Sequence, residues 1–458
     1  MNHTPHSHKR RPAKAGQAAT LLLAAALAAP AAGQLFSKPP LVQAVSGGAS
    51  AQTQETPAPR WPPRDRKSIS LSVTAQAEGK PALAYALLPP PEETEKGNAA
   101  VKYLAAISNM PKVDDDAWWD QLDAVLRDAP LADLNPDEAF LRKAVDDYSY
   151  VLRTLKEGAK LDHVDWETNV RTQGYRALLP SLGGFRTAAN VLAVEIRLDI
   201  RRHDWAAAND KFKTGFALAH RLSEGETLIE SLVGAAIASM LCQTLEDWVA
   251  EPGAPNLYWP LTNLPAPFCD VRRPMSFEHG MAFMSFPELQ EMKAGHYSAD
   301  LWTSMVARIP EASGGGDFSP LSTPWKRQTA AAALGMLMYP QAKDYLVSRG
   351  IAREAVEKMP VYEALERYFV LSYQDAIDDT FKWAGLPAAQ AWVGMNQASR
   401  AADLAGQRGD LNILAKIFLP SLSRAVLLTA RLDRQVAMLR VVEALRAHAA
   451  ETGAFPAR

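Results

Sequence analysis

The chain has 458 residues, 48% of them hydrophobic, and a formal net charge of -2. That size buries a large core and leaves room for two or three domains. The near-balanced charge provides no basic footprint and excludes a nucleic-acid partner.

The first 33 residues read as a signal peptide. Lys9, Arg10, Arg11 and Lys14 form a positive segment, an apolar run follows from Ala18 to Ala29, and small residues crowd Ala29-Pro30-Ala31 and Ala31-Ala32-Gly33. The run is short of the ~20 residues a membrane-spanning helix needs, so the pattern predicts export to the periplasm or beyond. Arg10-Arg11 also fits a twin-arginine signal, although Pro12 and Ala13 stand where a bulky apolar residue is usual. An uncleaved segment would tether the body to a membrane. Residues 34–66, with Pro39-Pro40, Pro57, Pro59 and Pro62-Pro63, read as a disordered or extended linker.

Residues 67–91 predict a short N-terminal β-hairpin. Ile69, Leu71 and Val73 alternate with polar residues, as do Leu83, Tyr85 and Leu87 with alanines, and Glu78-Gly79-Lys80-Pro81 supplies a turn between them. From Asn98 onward the apolar period is helical. Asn135-Pro136-Asp137-Glu138 marks a helix start. Phe140, Ala144, Tyr148, Val151 and Leu155 give that helix one face, and Gly158 ends it. Residues 187–222 predict an αα-hairpin turning at His203-Asp204. With Trp205, Ala208 and Phe212 it resembles one tetratricopeptide unit, but no fixed period repeats it. The next helix, about 226–249, is rich in small residues and should be the most enclosed; Glu230 interrupts its apolar run. No stretch after the signal reads as a membrane span.

Later helices are predicted at 297–309, 326–337, 340–348, 360–384, 388–404 and 411–450, the last broken near Pro420. The fold class is therefore mainly α, an irregular multi-helix array of αα-hairpins behind a short N-terminal β-hairpin. A Gly/Pro-rich loop at 310–326 divides helical subdomain 1 (92–309) from helical subdomain 2 (327–458).

Four residues are catalytic candidates. His163 and Asp165 place a base and a carboxylate two positions apart, and Glu278-His279 lies amid Met275, Phe277, Met281 and Phe283. Each has a plainer reading, as a helix cap or a solvated turn. Asp375, Asp378 and Asp379 lack the Glu-x-x-His partner of a di-iron bundle. Asp114–Asp116 lacks the spacing of a calcium loop. Ser181 has no base assigned to it, and no nucleophile or phosphate-loop motif occurs. Cys242 and Cys269 either close a disulfide or remain two buried thiols; neither has the spacing of a zinc site. No metal or cofactor is expected.

Many short phrases carry a resemblance. Leu87-Leu88-Pro89-Pro90, Gly97-Asn98-Ala99-Ala100, Asp165-Trp166, Tyr258-Trp259-Pro260-Leu261, Ser285-Phe286-Pro287-Glu288-Leu289 and Phe381-Lys382-Trp383 together resemble a group of uncharacterised large helical secreted proteins of planctomycete bacteria. The resemblance runs from about Ile69 to the C-terminus. It implies an exported all-α body and transfers no activity or catalytic residue. The expected function is non-catalytic binding of a protein or cell-envelope component in a groove between helix pairs. The alternative is a periplasmic hydrolase-like or metal-dependent enzyme using the His/acid pairs.

Overall fold

The computed structural model describes residues 70–113, 115–127, 129–135, 137–174, 182–312, 323–407 and 422–456. The expected signal (1–33) and linker (34–66) lie outside the described residues, as do Asp114, Pro136, Ser181, Pro420 and most of the loop expected at 310–326.

The described part of the expected hairpin holds no strand. The Gln76 amide donates to the Arg446 carbonyl at 3.0 Å, and the Thr74 carbonyl accepts from Arg446 Nε at 3.1 Å. Val73 and Tyr85 pack on the core, and Leu87 is buried in it. Backbone groups of 74 and 76 thus find partners on the C-terminal helix, whereas Tyr85 stands edge-to-face on Trp248 and Leu83 is exposed. The strand pair forms just downstream. Strands β1 (Glu95–Asn98) and β2 (Leu161–His163) run parallel, with Asn98 opposite His163. Parallel strands require a crossover, supplied here by α1 (Ala99–Ser108), α2 (Asp116–Arg127), α3 (Ala139–Asp147) and α4 (Ser149–Ala159).

The predicted helix through Phe140 and Leu155 divides at Tyr148, where ψ rises to 3°. Its start also shifts. The Asn135 side chain accepts from the Asp137 amide, and the helix begins at Ala139. Helix α4 ends at Ala159, one residue past Gly158. A Cβ at Gly158 would stand 2.6 Å from Tyr103 Cε1, so the glycine lets α4 press against α1.

After the short α5 (Val170–Gln173) comes the expected helical hairpin, α6 (Leu182–Arg201) and α7 (Trp205–Ser223). The Asp204 side chain accepts from the Ala207 amide and caps α7; Ala208 and Phe212 are fully buried. Next, α8 (Leu228–Ala250) begins with a capping box between Thr227 and Glu230. It packs on α6, α7 and the C-terminal helix. A Cβ at Gly234 would overlap the Ala219 carbonyl oxygen, so this glycine sets the α7–α8 spacing. By length and composition α8 would pass as a membrane span, but its apolar surface is mostly buried inside the body.

The chain continues through α9 (Tyr258–Thr262), α10 (Arg272–Ser285), α11 (Pro287–Lys293), α12 (Ala299–Ala312), α13 (Pro324–Ser348), α14 (Arg353–Lys358), α15 (Val361–Phe381), α16 (Ala388–Gln407) and α17 (Leu422–Thr452). Helix α13 joins two predicted helices. Proline deprives the carbonyl four residues earlier of its donor. Pro340 and Met336 are both exposed, so water replaces the lost bond and the helix continues.

The body has two main apolar cores. One gathers α1 to α4 and α6 to α9; the other gathers α10 to α13, α15 and α16 around Phe286, Met305, Met338, Tyr368, Phe369 and Tyr373. Helices α8 and α17 run through both. Leu228 and Leu232 of α8 enter the second core, while α17 gives Leu422 to the second and Leu432 and Leu439 to the first. One fully buried ion pair fastens α17. Arg446 and Glu443 meet at 2.9 Å, and Arg446 Nη2 donates to the Ala254 carbonyl.

Candidate cleft between the strand pair and the end of α7

A cleft of about 430 Å³ opens where β2, the C-terminal end of α7 and the loop before α10 meet. One wall is Asp162, His163 and Val164. The opposite walls are His220, Arg221, Ser223 and Glu224 at the end of α7, and Pro267, Phe268, Asp270 and Arg273 around the start of α10.

Arg221 assembles it. Its guanidinium donates to the Leu161 and Asp162 carbonyls at 3.1 and 2.8 Å and to Glu224 Oε2 at 2.9 Å, tying α7 to β2. His220 Nδ1 lies 3.3 Å from the Phe268 carbonyl, and Ser223 Oγ donates to the His220 carbonyl at 2.6 Å. The Phe268 amide donates to Asp433 Oδ1 of α17 at 3.1 Å, fixing the third wall. The His163 ring and then the Gly97 amide hold Asp162 below the usual carboxylate range. Arg272 does the same to Asp270, through bonds of 2.6 to 3.0 Å. Arg273 stands 3.7 Å from Glu226, which also takes Arg171 at 2.6 Å.

Of the four expected catalytic residues, His163 alone lines this cleft. It is exposed, and its Nδ1 meets Asp162 Oδ1 at 2.9 Å. Asp165 organises the loop beyond β2. Its amide donates to Asn98 Oδ1 at 2.8 Å, Asn98 Nδ2 returns a bond to its carbonyl, and its side chain accepts from the Glu167 amide. Trp166 beside it is buried against Tyr103 and Phe185.

Glu278 and His279 face other neighbours. Glu278 accepts from the Leu228 amide at 3.3 Å, at the start of α8. Burial pushes its carboxyl up to about 7. His279 is exposed on α10, pairing through Nε2 with Asp378 at 3.0 Å and presenting its ring to Phe381. Asp379, the neighbour of Asp378, pairs with Lys382, and Asp375 takes the Tyr345 hydroxyl. Among the described residues no group of three or more His, Cys, Asp or Glu side chains is arranged to hold a metal.

Cys242 and Cys269 are free, buried thiols in the first core. Burial raises both, Cys269 to about 12, so neither supplies a thiolate near neutral pH.

The cleft offers charged rims, two imidazoles and one aromatic face. It contains no activated nucleophile: the Ser223 hydroxyl donates to a backbone carbonyl. Its walls come from positions 162 to 273, with no spacing that links them in the sequence. His220, Arg221, Glu224, Asp270 and Arg273 were therefore not signalled, although the run Asp270 to Arg273 shows a local charge cluster.

No protein-family model matches the chain, and no curated protein or solved structure matches it either.

Proposed function

We propose that this is an exported helical binding protein that holds a charged segment of a protein or cell-envelope component in the Asp162–Arg273 cleft. The observation that carries the reading is the mixed-charge cleft braced by Arg221, set apart from Asp165, Glu278 and His279. Mixed charges on a preformed wall select a partner by complementarity. The amino-terminal signal pattern supports export.

The test is affinity capture from a native envelope extract at low salt, with Arg273→Glu and His163→Ala variants run beside the parent chain. The parent is expected to retain a discrete partner that both variants release. Recovery of no partner, or equal recovery by the variants, overturns the proposal.

Glu278 favours a second reading, a hydrolase-like enzyme with a carboxyl poised to exchange a proton near neutrality. That reading expects hydrolysis of a generic ester or peptide substrate, with a pH profile abolished by Glu278→Gln. A flat response in the variant and parent alike removes it.

A further inference from the structure

The C-terminal helix α17 carries apolar side chains on two sides, and among the described residues one of those sides is covered. Leu432, Leu439, Glu443 and Arg446 point into the body. On the opposite side Met438, Val441 and Leu445 are 53%, 60% and 37% exposed, and Ala437 and Ala444 are exposed with them. An exposed apolar strip of this kind marks an interaction surface.

The strip repeats every seven residues. Arg434, Val441 and His448 occupy one position of the heptad, Ala437, Ala444 and Glu451 the next, and Met438 and Leu445 flank them; all are exposed. Ala437, Val441 and Ala444 form a short apolar centre at the spacing of a helix-pairing seam, and Arg434, His448 and Glu451 stand at its ends. The small alanines permit a close interaxial approach. Charge then identifies the partner and its direction. The seam spans about 25 Å, from Arg434 to Glu451. Parallel pairing of two copies would set like charges together at both ends. Antiparallel pairing sets Arg434 against the partner's Glu451, Val441 against the partner's Ala444, and Ala437 against the partner's His448. The arrangement is self-complementary, as a two-fold interface requires.

We propose that the protein forms a two-fold dimer through an antiparallel pairing of α17 with the α17 of a second copy. The seam lies on the face of α17 opposite the Arg446–Glu443 ion pair.

The test is sedimentation equilibrium of the full chain over a hundredfold concentration range, since a dimer obeys mass action. The parent is expected at twice its monomer mass. Val441→Glu places a charge in the centre of the seam and is expected to give a monomer with unchanged helical circular dichroism. Arg434→Glu and Glu451→Arg each create like-charge contacts at both ends and are expected to weaken the dimer about tenfold. The double exchange R434E/E451R is expected to restore it. A parent that stays monomeric overturns the proposal, as does a Val441→Glu variant that still dimerises. Single reversals without effect, or a double exchange that fails to rescue them, overturn the antiparallel register.

Discussion

Glu366 is the sharpest test of the energetics. Its carboxyl is fully buried on α15 and accepts from the Ser298 amide at the start of α12, at 3.1 and 3.4 Å. Burial dominates those bonds and pushes the group up to about 8, against an ordinary value of 4.5. Between those two values the folded chain keeps a proton that the unfolded chain has released. The contribution of Glu366 to stability is therefore full below about pH 4.5, falls as pH rises, and is lost above about pH 8. At about 1.4 kcal/mol per unit, the loss is on the order of 5 kcal/mol. Glu366→Gln keeps an oxygen for the Ser298 amide and removes the ionisation. The variant is expected to lose this slope and to exceed the parent by about 4 kcal/mol at alkaline pH, after about 1 kcal/mol for the added amide donor. At pH 5 the two should differ by about 1 kcal/mol at most. The assay is differential scanning calorimetry at pH 5, 7 and 9, comparing the transition that involves the second core. Parallel pH profiles for parent and variant would refute the reasoning.

Other substitutions probe the remaining contacts. Gly234→Ala should destabilise by about 1–3 kcal/mol in chemical denaturation, because the methyl group forces α7 and α8 apart. Arg446→Met should cost about 3–5 kcal/mol by leaving Glu443 buried and unpaired, and adding Glu443→Met should recover part of it. Asn98→Ala removes the cap of α1 and both bonds to Asp165, with an expected loss of about 1–2 kcal/mol. His279→Ala should change stability by less than about 1 kcal/mol, since its pair with Asp378 is solvent-exposed.

The helical body was legible because its signals are local. The turn at His203-Asp204 and the crossing at Ala208 and Phe212 lie within a few residues of one another; the box of Thr227 and Glu230 is as local, but Glu230 reads there only as an interruption of the apolar run. The β-hairpin was misplaced because the same alternation suits any extended segment with one covered face. The cover of its first run includes α17, reached across more than three hundred residues through Arg446, and Tyr85 of its second run meets Trp248 of α8. Pro340 misled for a related reason. Whether a proline breaks a helix or meets water depends on neighbours outside the local window, as does the room that Gly158 leaves for Tyr103. Of the cleft, His163 was singled out from its own stretch; Arg221, which braces it, hydrogen-bonds carbonyls 59 and 60 positions away.

The attachment of residues 74–76 to α17 also decides how force enters the molecule. Asn256 donates to carbonyls of both Gln76 and Glu443, and Arg446 bridges Thr74 and Ala254, so the two ends of the described chain share one clasp. A tug applied ahead of residue 70 is carried straight into the longest rod of the body, sparing the loops between. Trimming the final turns of that rod would loosen the front of the chain as well as the back.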